Sequence, residues 1–426
     1  MSTSKQAPPV RLPRKFLLPA ARHWQLRNGL AVTAVEGASR PILRLELLFH
    51  AGRPYESAPG VGRATNLMLA EGSRQRSASE IEAYFEYYGT NLILSRSMDT
   101  ASVTIYTILP HLESVLPMLA EVVLDPAFKA DDLRRFCKRS KQSLREALTE
   151  ADTIAYRQLT DGLFGPDHFY GYDIVAQHYD ELQCEQLQNF HQQAYTANNA
   201  HLLLAGQIDA KTEALLDQYL GQLPLGNPLP SRSPFPQIYA PGIKTVRRPK
   251  AQQTLIRRAR LINPQAHHDL PGLEVLNTLL GGYFGSRLMQ NIREEKGYTY
   301  NIDSSLENLR YASYLSISAD VANDNLEAVN REIDHEIDKL QQDPIPMQEM
   351  EMLRAYLLGV LMNEIDGPLN IIERYQQAVM EKVDPIEYNE LIHTVESIRP
   401  QQLQDLAQRY LGKAEEEIHV AVGGAV

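Results

Sequence analysis

Leu187-Gln188-Asn189-Phe190, with Tyr195 and the strand-like run from Asn199 to Ala205 ending in Gly206, recurs late in the chain. There it reads Leu403-Gln404-Asp405-Leu406, Tyr410 and the run from Glu417 to Val422 ending in Gly423, with one residue of slack before the tyrosine. Repetition of a helix-then-strand unit at this distance indicates a duplicated fold. Working outward, the order of elements on either side agrees. The first half opens with apolar strand-like stretches, His23 to Val35 and Ile42 to His50, and the second with Gln253 to Ile262. Each leads to a helical segment, Gly60 to Ala70 and Leu273 to Leu280. Long amphipathic helices follow at Asp131 to Thr149 and Met347 to Glu364. The expected fold is α+β: two homologous domains, each a mostly antiparallel sheet covered by helices on one face.

The seam is rich in proline, with residues 224, 228, 230, 234, 236, 241 and 249 all Pro, so residues 221–250 read as an extended linker. This divides the chain into domains at 1–220 and 251–426. At 426 residues, 43% hydrophobic and 22% charged, the chain is long enough for two cores. A net charge of -11 argues against a nucleic-acid surface. Cys137 and Cys184 lie outside any CxxC or Cys/His cluster and read as ordinary thiols. No run approaches a membrane span, and Pro19 cuts short the apolar run Phe16-Leu17-Leu18. Prolines 8, 9, 13 and 19 also break the helix a transit peptide needs, so a cytoplasmic location is expected.

Chemistry concentrates in Gly285-Ser286-Arg287-Leu288-Met289-Gln290-Asn291-Ile292-Arg293-Glu294-Glu295-Lys296-Gly297-Tyr298-Thr299-Tyr300. Leu288, Met289 and Ile292 have helical spacing, Gly297 suits a left-handed helix end, and Tyr298 starts a strand on which Tyr298 and Tyr300 share a face. Arg293 and Tyr300 can donate hydrogen bonds to a peptide carbonyl, or to the oxyanion formed when water attacks it. The plain structural alternative pairs Arg293 with Glu294 or Glu295 and places Tyr300 in a core.

The stretch from Leu279 to Tyr300 resembles the carboxy-terminal-domain signature of the pitrilysin/insulinase family of inverted zinc metallopeptidases, which includes the mitochondrial processing peptidases. The duplicated halves, the proline-rich seam and Leu163 to Asp173 (LFGPDHFYGYD) extend the resemblance over nearly the whole chain. It implies that Arg293 and Tyr300 contact substrate backbone across from a zinc ion.

Active members carry H-x-x-E-H on the first-half helix. Two histidines four apart face one ion, and the glutamate activates water. In Gly60-Val61-Gly62-Arg63-Ala64-Thr65-Asn66-Leu67 those three positions are Arg63, Asn66 and Leu67. Arginine keeps its proton and leucine has no lone pair, so neither binds a cation. Glu146 stands where the resemblance places a third ligand, and is expected as a solvated helix residue or a partner for Arg63. No substitute appears: His335-Glu336 is followed by Lys339, adjacent His267 and His268 diverge, and G-x-S-x-G and Walker loops are absent.

The expectation is a non-catalytic, substrate-binding subunit of a heteromeric zinc metallopeptidase, with no cofactor of its own. Zinc would come from a homologous partner chain, most simply in a heterodimer. The alternative is a structural core subunit of a larger complex with no part in proteolysis. Peptide would add to a sheet edge, for which Asn91 to Ser95 and Tyr300 to Ser304 are the candidate strands.

Overall fold

In a computed structural model, residues 15–37, 40–229, 241–262, 268–412 and 417–424 are described. The strands are β1 (Arg22–Gln25), β2 (Ala31–Glu36), β3 (Ile42–Phe49), β4 (Asn91–Arg96), β5 (Ala101–Ile108) and β6 (Ala200–Gly206) in the first half. The second half has β7 (Gly242–Arg247), β8 (Gln253–Ile262), β9 (Thr299–Leu309), β10 (Ala312–Ala322) and β11 (Ile418–Gly423). The first sheet runs β1-β2-β6-β3-β5-β4 and the second β7-β11-β8-β10-β9. Removing β1 makes the two orders identical, position for position. In each sheet one pair is parallel, β2 with β6 and β7 with β11, and the rest are antiparallel. The fold is the α+β duplication that the repeated stretch implies.

Two segments differ from the sequence reading. The run from His23 to Val35 is a hairpin, because Asn28-Gly29 turns the chain: Gly29 has φ +81° and Leu26 N–H donates to Leu30 O at 3.0 Å. The proline-rich seam also contains a strand, since residues 242–248 are free of proline and β7 can offer its N–H groups to the ladder beside β11. Prolines 230, 234 and 236 lie outside the described residues.

Side-chain alternation sorts each sheet into two apolar faces. In the first, Leu202 and Leu204 join Leu43, Leu45 and Leu47 in the main core beneath the half's own helices. Leu203, Ala205, Val35 and Leu48 point the other way, against Ile371, Ile372 and Tyr375 of the helix Pro368–Glu381 from the second half. The second sheet mirrors this. Leu255, Ala259, Ile418, Val420 and Val422 pack on Ala155, Leu159 and Leu163 of the helix Ala151–Phe164 from the first half. Close approach explains Gly162, where an added Cβ would lie 2.9 Å from Ile418 Cγ2. Each half thus lends one helix to the far face of the other's sheet.

That face also buries polar groups. Arg44 and Glu46 on β3 are 6% and 1% exposed and pair at 2.7 Å, and Gln376 Nε2 donates to Glu46 Oε1 at 2.8 Å. Arg44 further reaches Glu373 at 3.2 Å. An ion pair this deep is tolerable because the visiting helix meets both Arg44 Nη groups and Glu46 Oε1, leaving only Arg44 Nε without a partner.

Candidate functional site

The helix Val61–Met68 is opened by Gly60 in the left-handed region, φ +89°. It buries Val61, Ala64 and Met68 in the first core, which fixes where the three positions of the absent metal motif point. Asn66 is fully buried. Its Nδ2 donates to Ser95 O on β4 at 2.8 Å, and its Oδ1 accepts from Tyr195 OH at 3.2 Å. Both amide atoms are therefore committed within the protein. Leu67 packs against the core. Arg63 Nε is buried without a hydrogen-bond partner.

Glu146, near the end of the helix Ala130–Ala147, is exposed and accepts from Gln142 Nε2 at 2.7 Å. It forms no ion pair with Arg63, so the solvated-residue reading describes it. A zinc ion does not fit this donor set: one position is a cation, one is aliphatic, and one amide is fully engaged. Among the described residues, no group of three or more His, Cys, Asp or Glu is placed to hold a metal ion.

Across the chain, Arg293 sits in the wide-turned helical segment Met289–Glu295, which Gly297 (φ +64°) terminates. Gly297 N–H donates to Arg293 O at 3.0 Å, and Tyr298 N–H to Ile292 O at 3.0 Å, which satisfies the last carbonyls of the helix. Arg293 lies over the Phe284 ring, 4.9 Å from its centroid, and Nε makes a 3.5 Å contact with Glu294. The plain alternative is therefore realised for Arg293, though loosely. For Tyr300 it is not, because that ring is 84% exposed.

Tyr298 and Tyr300 do not share an environment: Tyr298 is half-buried against the second core. The cause is a β-bulge. The register places Ile302 opposite Ala319 and Thr299 opposite Val321, so Tyr300 and Asn301 together face Asp320. Thr299 Oγ1 fills the irregularity by donating to Asp320 O at 2.5 Å and accepting from Asn301 N–H at 3.2 Å. The bulge leaves Tyr300 turned to solvent. Both candidate peptide edges, β4 and β9, are outermost strands of their sheets.

The stretch from Leu163 to Asp173 joins the two walls. Gly171 is required because a Cβ there would lie 1.9 Å from Gly165 O. The resulting tight loop sends Tyr170 OH to Asp99 Oδ1, Tyr172 OH to Glu56 Oε2 at 2.9 Å, and Asp173 to Arg157 at 3.2 Å. Asp99, between β4 and β5, also accepts Arg310 N–H at 3.1 Å from the β9–β10 turn, and Tyr55 OH meets Tyr311 OH at 3.0 Å. These hairpin tips add a second contact between the two halves, beside the exchanged helices. Burial pushes the Asp99 carboxyl above its ordinary value, and it pushes Glu56 up as well. Arg53, Glu56, Arg96 and Asp99 carry no spacing signal in the sequence; they converge only once the loop is folded.

Comparison with known proteins agrees with this architecture. Residues 32–168 match the model for insulinase (peptidase family M16) and residues 181–357 that for the peptidase M16 inactive domain. The chain belongs to the M16, insulinase-type, peptidase family. It is similar to an uncharacterized zinc protease of Rickettsia felis, 23% identical over 78% of this chain and 80% of that one. It is also similar to YmfF of Bacillus subtilis, a probable inactive metalloprotease, 22% identical over 65% of this chain and 67% of that one. Among solved structures, a peptidase M16 inactive domain from Pseudomonas fluorescens superposes with a TM-score of 0.86 at 23% identity, covering 95% of this chain and 98% of that one. The first half of the periplasmic protease PqqL from Escherichia coli gives 0.76 at 17% identity, covering 95% and 92%. Among the described residues, no helix is long and apolar enough to cross a membrane.

Proposed function

We propose that this chain is the substrate-binding, non-catalytic subunit of a heteromeric M16 peptidase whose zinc is held by a homologous partner chain. One contrast carries the reading: Arg63, Asn66 and Leu67 cannot ligate a cation, while Tyr300 stands 84% exposed and Arg293 is only loosely paired. In the proposed role, the two donors engage the backbone of a peptide whose scissile carbonyl lies on the partner's metal. The likeness to a probable inactive metalloprotease supports this division of labour.

The test is co-expression with a homologous chain bearing H-x-x-E-H, followed by peptide cleavage assays. Arg293→Ala and Tyr300→Phe should each lower kcat/KM about tenfold or more, in line with the loss of one charged or neutral donor to the transition state. Unchanged cleavage in both variants would leave the structural-subunit reading standing.

A further inference from the structure

The first-half wall holds three arginines that a purely scaffolding surface would not need. Arg63 stands on the helix 61–68, Arg96 ends β4, and Arg53 lies in the turn Arg53–Tyr55 ahead of that helix. A chain of contacts draws them together. Asn66 Nδ2 to Ser95 O clamps the helix to β4 one residue from Arg96 and about one helical turn from Arg63. Arg53 Nη1 donates to Tyr172 O at 3.1 Å, Tyr172 OH donates to Glu56 Oε2, and Glu56 accepts the Gly60 N–H at 2.7 Å where the helix begins.

Among the described residues, none of the three arginines forms an ion pair, and Arg63 Nε has no hydrogen-bond partner although buried. Burial, with the Arg63 and Arg53 charges, draws Arg96 down to about 10, so it stays charged at neutral pH. Glu56 interacts with the Arg53 and Arg96 charges and offsets part of the group, while its Oε2 accepts from Gly60 N–H and Tyr172 OH; one acid against three arginines leaves a positive excess. In a chain of net charge -11, this local positive excess beside an open sheet edge can take a further anion. Guanidinium forks match the planar oxygen pair of a carboxylate, and β4 offers its free backbone groups to an extended chain.

We infer that Arg53, Arg63 and Arg96 form a carboxylate subsite that selects acidic peptides lying along the edge of β4. This rests on the substrate-binding reading above and narrows it to a peptide class. The carboxylate belongs either to an Asp or Glu side chain or to the peptide's C-terminus, which present the same two oxygens.

The test uses the full chain alone and fluorescence anisotropy with four labelled peptides of one sequence, carrying Glu or Gln at the centre and a free or amidated end. One carboxylate should tighten binding about tenfold, and Arg63→Gln or Arg96→Gln should erase that preference. Loss of the preference on Glu-to-Gln replacement assigns the side chain; loss on amidation assigns the terminus. Circular dichroism melts establish that each variant is folded, and the Arg96 variant serves if the Arg63 variant is not. Equal affinity for all four peptides overturns the subsite while leaving peptide binding intact, as does a preference that survives both variants. Failure to bind any of them overturns the underlying reading as well.

Discussion

Tyr195 OH donates to Asn66 Oδ1 at 3.2 Å while Asn66 Nδ2 donates to Ser95 O at 2.8 Å, so the residue in the glutamate position of the absent motif joins a core tyrosine to an edge strand. Rebuilding the motif as Arg63→His, Asn66→Glu and Leu67→His should therefore cost stability. A buried carboxylate at 66 offers the Ser95 carbonyl no donor, a loss of about 2–4 kcal/mol. Thermal unfolding should show a lowered Tm, and elemental analysis no stoichiometric zinc, because Glu146 points to solvent.

Asp99 takes hydrogen bonds from Tyr170 OH and Arg310 N–H, one from each half. Asp99→Ala strands both donors and should destabilise by about 2–3 kcal/mol. Limited proteolysis should then open the β9–β10 turn faster than in the parent. An unchanged cleavage rate there would show that the hairpin tips do not depend on this carboxylate.

Glu274 is pushed up to about 7, by burial first and then by Glu381, Glu364 and Glu307. Below its ordinary value of 4.5 both folded and unfolded states hold the proton, and the contribution to stability is fully present. As pH rises to about 7 the unfolded chain releases that proton first, so stability falls, and it levels off above. Glu274→Gln should match the parent near pH 4.5 and exceed it by up to about 3 kcal/mol at pH 8, read from urea unfolding. A variant no more stable than the parent at pH 8 contradicts the upward shift of the Glu274 carboxyl.

Glu46→Leu leaves Arg44 without its main partner in a buried site and should cost about 3–5 kcal/mol, whereas the double change Arg44→Met with Glu46→Leu should recover most of that loss. Denaturant midpoints of the two single variants and the double variant close the cycle. A double variant as unstable as the single one would mean that the pair serves the docked helix through more than charge balance.

Local signals made much of this legible. Gly297 ends its helix, the apolar run 253–262 is β8, and the repeated Leu-Gln stretch marks equivalent helices, because each rests on propensity or period within a few residues. The bulge at Tyr300-Asn301 was hidden, since it is defined by the strand opposite. So was β7, which proline composition masked. The arginine group escaped for the same reason: positions 53, 63 and 96 become neighbours only through tertiary contacts, Arg53 N–H to Met98 O and Asn66 Nδ2 to Ser95 O.

The reciprocal loan of helices 151–164 and 368–381 makes the two repeats mutually dependent in folding. Severed at the seam, either piece would leave one apolar side of its sheet bare to water, a template for clumping rather than a free-standing module. The duplication has thus been turned from two copies into one cooperative body, whose halves are fastened from behind while the outer edges of β4 and β9 end their sheets in front.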